Sequence, residues 1–391
     1  MTAEPVYLDF AATTPVDPRV VETMQTCLTS EGCFANPASI HIKGRQSAVV
    51  VEQARERVAG LLGTAPERLI WTSGATESNN LAIQGAARAR AHRGRHLVTM
   101  PTEHKAVVDT FRALEKEGFE VSWLNPDASG LLSLDVLGET IREDTQLVSV
   151  MHVNNETGVI QDIHSIGTLC RLRGVLFHTD AAQSVAKLEI DLSELPVDLL
   201  SLTAHKFYGP QGIGALYVAS ATSGGLQPIM HGGGQERRLR PGTLPVHLVA
   251  GAGAAAAIAQ QEMAANALHL ATMRDRLWNG ICDLAGLTRN GPADSSFAGI
   301  LNVSADGVEG ESLMLGMEPV CVASGSACNS TSGEASYVLR ALGRDDRQAQ
   351  SAVRFSFSHA TTAKEIDLAI DRYRRTIDRL RAISPLPAAA S

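Results

Sequence analysis

Between residues 69 and 218 short apolar runs alternate with helix-patterned segments, and this alternation restricts the fold more than any other feature of the chain. Strand-sized runs lie at 69–72, 96–100, 119–124, 147–153, 175–180 and 197–202. Helical patterns fill the gaps, as an Ala-rich segment to about residue 93, a segment opened by 102–105 and running to 116, and one over 163–173. That rhythm predicts an α/β fold with a mostly parallel sheet and helices on both faces. In such a sheet the carboxyl ends of the strands converge on one crevice, where chemistry is done.

Two strand ends carry the residues of interest. The run 197–202 leads through Thr203-Ala204-His205 to Lys206 and a Gly-Pro turn, and a Gly-rich return follows at 211–218. A lone lysine in a turn is ordinarily solvated, whereas one at a buried strand end is costly unless paired or covalently used. The run 175–180 ends in Asp180, with Gln183 three residues on. A Schiff-base lysine and an aspartate facing a pyridinium nitrogen form the arrangement that binds pyridoxal phosphate (PLP). Upstream, 69–80 reads as strand, small-residue turn and helix N-terminus, an anion site in principle. Taken by itself, however, that stretch is more simply explained by helix capping through Thr76.

The flanks suggest a second, smaller unit. Residues 6–15 form a short arm suited to packing across the body, and 47–62 has helical spacing. From Val246 a long helix predicts a strut between domains, followed by strands near 299–304 and 352–356 and a last helix opened by a capping box at Thr362 and Glu365. A Gly251-Ala252-Gly253 stretch imitates a dinucleotide fingerprint but lies inside that long helix. His231-Gly232-Gly233-Gly234 lacks a GxSxG partner, and His104, His178 and His205 lack metal-ligand spacing. Cys321, among apolar neighbours, reads as a buried small hydrophobe, whereas Cys328 sits in Ser324-Gly325-Ser326-Ala327-Cys328, as an accessible nucleophile or sulfur carrier would. The 391 residues are 44% apolar and carry a net charge of −8, which argues against direct nucleic-acid binding. Six cysteines without a CxxC pair, a start lacking a secretory pattern and no membrane-length apolar run lead us to expect a soluble cytoplasmic protein.

The ordered motifs resemble the cysteine desulfurases. They are Tyr7-Leu8-Asp9, Thr72-Ser73-Gly74-Ala75-Thr76-Glu77, Thr102-Glu103-His104, Asn154-Asn155-Glu156-Thr157-Gly158, Asp180-Ala181-Ala182-Gln183, His205-Lys206, His231 through Glu236, Arg240 through Thr243, and Ser324 through Cys328. The long cysteine loop is similar to group I, the NifS/IscS-like type. The resemblance implies the PLP-dependent transferase fold type I, with a seven-stranded-type sheet in a large domain at 16–255 and a small α+β domain from 1–15 and 256–391, its cysteine loop at about 322–334. It implies that Lys206 holds PLP as the internal aldimine, that Asp180 pairs with the ring nitrogen and Gln183 with the ring hydroxyl, and that His104 stacks on the ring and moves protons. Ala75, Thr76, Thr203 and His205 would bind the phosphate, helped by Thr243 of a second subunit in a homodimer. Asn155 and Arg354 would hold the carboxylate of L-cysteine, and Cys328 would take its sulfur as a persulfide for an acceptor protein in iron–sulfur cluster assembly or tRNA thiolation. No resident metal is implied, Cys328 being at most a transient cluster ligand. A selenocysteine lyase or small-amino-acid aminotransferase of the same fold is the alternative; an aminotransferase has no use for Cys328. Housekeeping relatives carry a longer polar tail than the one here, from which we expect weak binding to a general cluster scaffold.

Overall fold

The computed structural model describes residues 4–219, 222, 225–324 and 335–383. After a two-residue strand β1 (Val6–Tyr7), seven strands build the central sheet: β2 (Leu69–Thr72), β3 (His96–Thr99), β4 (Glu120–Trp123), β5 (Thr145–Ser149), β6 (Leu176–Asp180), β7 (Leu199–Thr203) and β8 (Gly214–Val218). Their order is β2-β8-β7-β6-β5-β3-β4; all neighbours are parallel except β8, which runs antiparallel to both β7 and β2. Every residue of β2, β3 and β5–β8 is buried, as a parallel sheet covered on both faces demands. One apolar cluster runs through Trp71, Val98, Val148, Phe177 and Leu202, and another through Ile70, Leu97, Leu147 and Leu199, so alternate residues of the same strands face opposite layers.

A separate core surrounds a four-stranded antiparallel sheet ordered β12-β13-β10-β9, from β9 (Leu287–Arg289), β10 (Ile300–Ala305), β12 (Ala323–Ser324) and β13 (Val353–Ser356). Strand β11 (Val320–Cys321) pairs in parallel with β1, which fastens the N-terminal arm to this smaller unit. The helix Val246–Ile281 serves both cores: Val246–Ala256 contributes to the first, and Leu270, Met273, Leu277 and Ile281 contribute to the second. Its dinucleotide-like glycines are packing residues. A Cβ on Gly253 would lie 2.5 Å from Ala54 Cα, so glycine is what lets helix Ile42–Leu61 cross closely there.

Several expectations shift. The run 147–153 enters the sheet earlier, at Thr145, and leaves it at Ser149; Met151 and Val153 are buried in the loop beyond, where Met151 N–H donates to Glu103 Oε1 at 2.7 Å. A helix at Leu134–Thr140 had no strong periodic signal. Cys321, expected to be buried, is exposed; β11 alternates, so with Val320 facing the core its neighbour faces outward. The capping box forms as read, with Thr362 N–H donating to Glu365 Oε2 at 2.6 Å and Glu365 N–H to Thr362 Oγ1 at 3.3 Å. Among the described residues no helix is long and apolar enough to cross a membrane.

Candidate active site

Parallel pairing of β6 with β7 places their carboxyl ends side by side, with Asp180 opposite Ser201. One 3₁₀ turn, Ala204–Lys206, then carries the lysine into the crevice beyond Asp180. The cleft there is lined by Ala75, Thr76, His104, Asn155, Asp180, Gln183, Thr203, His205 and Lys206, so nine of the expected site residues meet in one place. Thr243 is exposed and lies outside this lining. Arg354 stands behind it, and Cys328 lies outside the described residues.

At one end of the cleft the helix Ala75–Ala89 begins without a side-chain cap. This overturns the expectation of capping by Thr76: the N-cap is Gly74, at φ 149°, a conformation open to glycine and strained for other residues. Beside it, a Cβ on Gly214 at the start of β8 would lie 2.7 Å from Gly74 Cα, so glycine at 214 is what lets β8 approach the turn. The uncapped helix end shares the cleft lining with Thr203 and His205, donors of the kind that can seat an anion. Glu77 braces the turn by accepting from Ser73 N–H at 2.6 Å and from Arg240 Nε at 2.9 Å. Burial alone would raise its pKa, but the hydrogen bonds from Arg240 and Ser73 hold it below the usual range. His205 Nδ1 lies 3.0 Å from Thr13 Oγ1, and burial with the nearby charge of Lys206 pushes its pKa down to about 4, leaving a neutral ring.

In the middle of the cleft Asp180 is buried and held by two donors, Asn79 Nδ2 at 2.7 Å and Ala182 N–H at 2.9 Å. Sequence reasoning missed Asn79; its signal is a polar residue on the buried face of an Ala-rich helix. His104 caps the helix Lys105–Lys116, its Nδ1 accepting from Ala106 N–H at 3.1 Å, so the neutral ring carries its proton on Nε2. Burial, then the proximity of Lys206, lowers its pKa. Gln183 donates from Nε2 to the Ala11 carbonyl at 2.7 Å and accepts from Lys187 Nζ at 2.9 Å. His178, weighed above as a metal ligand, is held inside the sheet between the hydroxyls of Ser149 and Ser201.

The far end of the cleft joins the two cores. Arg354 of β13 reaches across to donate to Asn155 O at 2.7 Å and to Asp9 Oδ1 at 2.6 Å, while its buried Nε has no described partner. Glu156, next to Asn155, is buried and accepts from Ser336 Oγ. Burial pushes the Glu156 carboxyl up to about 7.

The profile of the class-V aminotransferase family matches residues 6–368. A cysteine desulfurase IscS of Serratia proteamaculans is 54% identical over 383 residues, covering 98% of this chain and 95% of that protein. A second, from Pectobacterium atrosepticum, matches equally well, at 54% over the same share of each. The chain belongs to the class-V aminotransferases, among the NifS/IscS-like cysteine desulfurases. A solved NifS-like protein superposes with a TM-score of 0.89 at 35% identity, covering 96% of this chain and all of that one. A solved SspA in complex with cysteine gives a TM-score of 0.81 at 38% identity over 91% of this chain and 100% of that one. The class-V aminotransferase cleft fits the PLP on which the family depends. It offers an uncapped helix end for a phosphate, a buried carboxylate anchored by two donors for a ring nitrogen, and a lysine one 3₁₀ turn beyond a strand end in the same lining.

Proposed function

We infer that this chain removes the sulfur of L-cysteine, releasing L-alanine and leaving a persulfide on Cys328. The observation that carries this reading is the convergence of Lys206, Asp180, His104 and the uncapped helix end in one cleft whose far wall is reached by Arg354. PLP bound there supplies the electron sink that makes proton loss at the substrate's α-carbon possible. Ala75, Thr76, Thr203 and His205 hold its phosphate, Asp180 keeps its ring nitrogen protonated, and Gln183 donates to its ring hydroxyl. Arg354 and Asn155 orient the amino-acid carboxylate; the guanidinium supports a bidentate pair. Lys206 and His104, the latter neutral with its proton on Nε2, move protons at the substrate carbons. The Cys328 thiolate then takes the sulfur as the substrate's Cβ–S bond breaks. One thiol and one cysteine become one persulfide and one alanine, so no outside oxidant is required.

The exposure of Thr243 and the exposed apolar side chains of Leu28, Phe34, Ile40, Ile42 and Val49 support a homodimer in which Thr243 completes the partner's phosphate seat. A sulfur-acceptor protein, for cluster assembly or thiolation, completes the proposed cycle, with the cytoplasm as its expected compartment. Incubating the holoenzyme with L-cysteine and a dithiol, which reduces the persulfide and frees its outer sulfur as sulfide, while assaying alanine and sulfide together tests the reading. Cys328→Ser should keep the cofactor's visible band and its spectral response to cysteine, while alanine release coupled to persulfide disappears, because a serine hydroxyl is no soft nucleophile at neutral pH. Parent-level turnover in that variant, or loss confined to Cys321→Ser, overturns the assignment.

A further inference from the structure

Gln183 and Lys206 stand between two hollows. One is the cleft; the other lies between the long helix and the four-stranded sheet, with Phe10, Tyr208, Ile258, Met263, Phe297 and Lys187 in its walls. Lys187 is only part-buried as a whole, but its ammonium turns inward. Its Nζ donates to Gln183 Oε1 at 2.9 Å and sits 5.5 Å from the centre of the buried Phe297 ring. On its other branch the same amide donates to the Ala11 carbonyl. The Ala11 carbonyl settles which way the amide faces, since a carbonyl only accepts, and the charged form of Lys187 agrees because an ammonium only donates. The second N–H of Gln183 is then the donor left for the cleft.

We propose that Lys187 is a positioning residue for the cofactor: it locks the Gln183 amide so that an N–H faces the ring hydroxyl, and it sets a positive charge behind that donor. The proposal rests on the PLP reading given above. The groups facing Lys187 are Lys206, His205 and Arg354 toward the cleft, and Asp17, Glu262 and His359 around the hollow. Both of those carboxylates are already engaged by Arg19. Burial, then repulsion by Lys206 and Arg354, pushes the Lys187 pKa down to about 7, so its charge responds to pH near neutrality. An aimed N–H and a cation behind it both favour a negatively charged ring oxygen. Both therefore lower the pH at which the bound chromophore gives up its proton.

The test is a titration of the resting holoenzyme by its visible absorbance. Lys187→Met should move the midpoint upward by about half a unit or more, roughly threefold in proton affinity. Lys187→Arg, which keeps donor and charge, should stay within about 0.2 units of the parent. In a Gln183→Ala background the effect of Lys187→Met should fall to less than half, as expected of residues acting through one another. An unshifted or lowered midpoint in Lys187→Met overturns the proposal, and so does an undiminished shift without the Gln183 amide. If Lys187→Met does not retain cofactor, Lys187→Gln takes its place: an upward shift supports the proposal and parent behaviour overturns it. A parent protein with no visible band would instead remove the cofactor reading itself.

Discussion

The two ends of the cleft are built on different plans. Within the chain, the end proposed for the phosphate is built on one sheet: the β2–helix turn, the end of β7 and the start of β8 meet there, with Gly74 at a φ open to glycine and Gly214 without room for a Cβ. The carboxylate end is shared. Arg354 comes from the second sheet, Asn155 from a loop of the first, and Asp9 from the N-terminal arm, joined by two hydrogen bonds from one guanidinium. On the proposed reading, the cofactor that stays bound is seated mainly by one unit, whereas the substrate that enters and leaves on every turnover is met by side chains from two.

The contrast can be broken from either side. Lys206→Ala should leave the phosphate end and the fold intact while turnover falls by on the order of 10³-fold or more. Borohydride should then attach no cofactor to protein; a reducible adduct in this variant would show that another residue holds it. At the other end, Arg354→Lys keeps the charge and loses the planar fork. We expect kcat/KM for cysteine to drop about 10²-fold, mostly through KM, with cofactor content unchanged. A loss confined to kcat, or loss of cofactor, would place Arg354 in the cofactor's seat.

The smallest effect sharpens the comparison through pH. The Glu156 carboxyl lies at the shared end, and burial pushes its pKa up to about 7 from an ordinary 4.5. The folded chain thus holds this proton more tightly than the unfolded one. The stability it confers is full below about pH 4.5 and is lost as pH rises to about 7. Glu156→Gln, free of that cost, should gain thermal stability over the parent as the buffer goes from about pH 5 to pH 8, by on the order of 1–3 kcal/mol. A constant difference between the two proteins across that range would show that Glu156 does not titrate as its burial indicates.

Much of the large sheet and its lysine–aspartate pair was legible, because period and order alone place neighbouring parallel strand ends together. The resemblance supplied the remaining lining residues, which local pattern did not isolate. What stayed hidden depends on contacts distant in sequence. Nothing near Thr76 reveals that Gly74 is the cap, since its φ and the close approach of Gly214 from another strand exist only in the folded chain. The buried loop 150–153 reads as strand because it is apolar, yet Glu103 rather than a neighbouring strand takes the Met151 N–H. Cys321 faces outward because a two-residue strand pairs with the N-terminal arm. Lys187 carried no signal beyond its nearness to Gln183, one helical turn away by count, and only the fold shows it behind the cofactor cleft.

The helix Val246–Ile281 has 36 residues, about 54 Å of uninterrupted hydrogen-bonded backbone, and each core claims one end of it. Melting either unit alone would strip one end of that rod of its packing while the other end still held it in place. The chain should therefore unfold as one transition rather than two, and damage to the smaller unit should register in the absorbance of a chromophore seated in the larger.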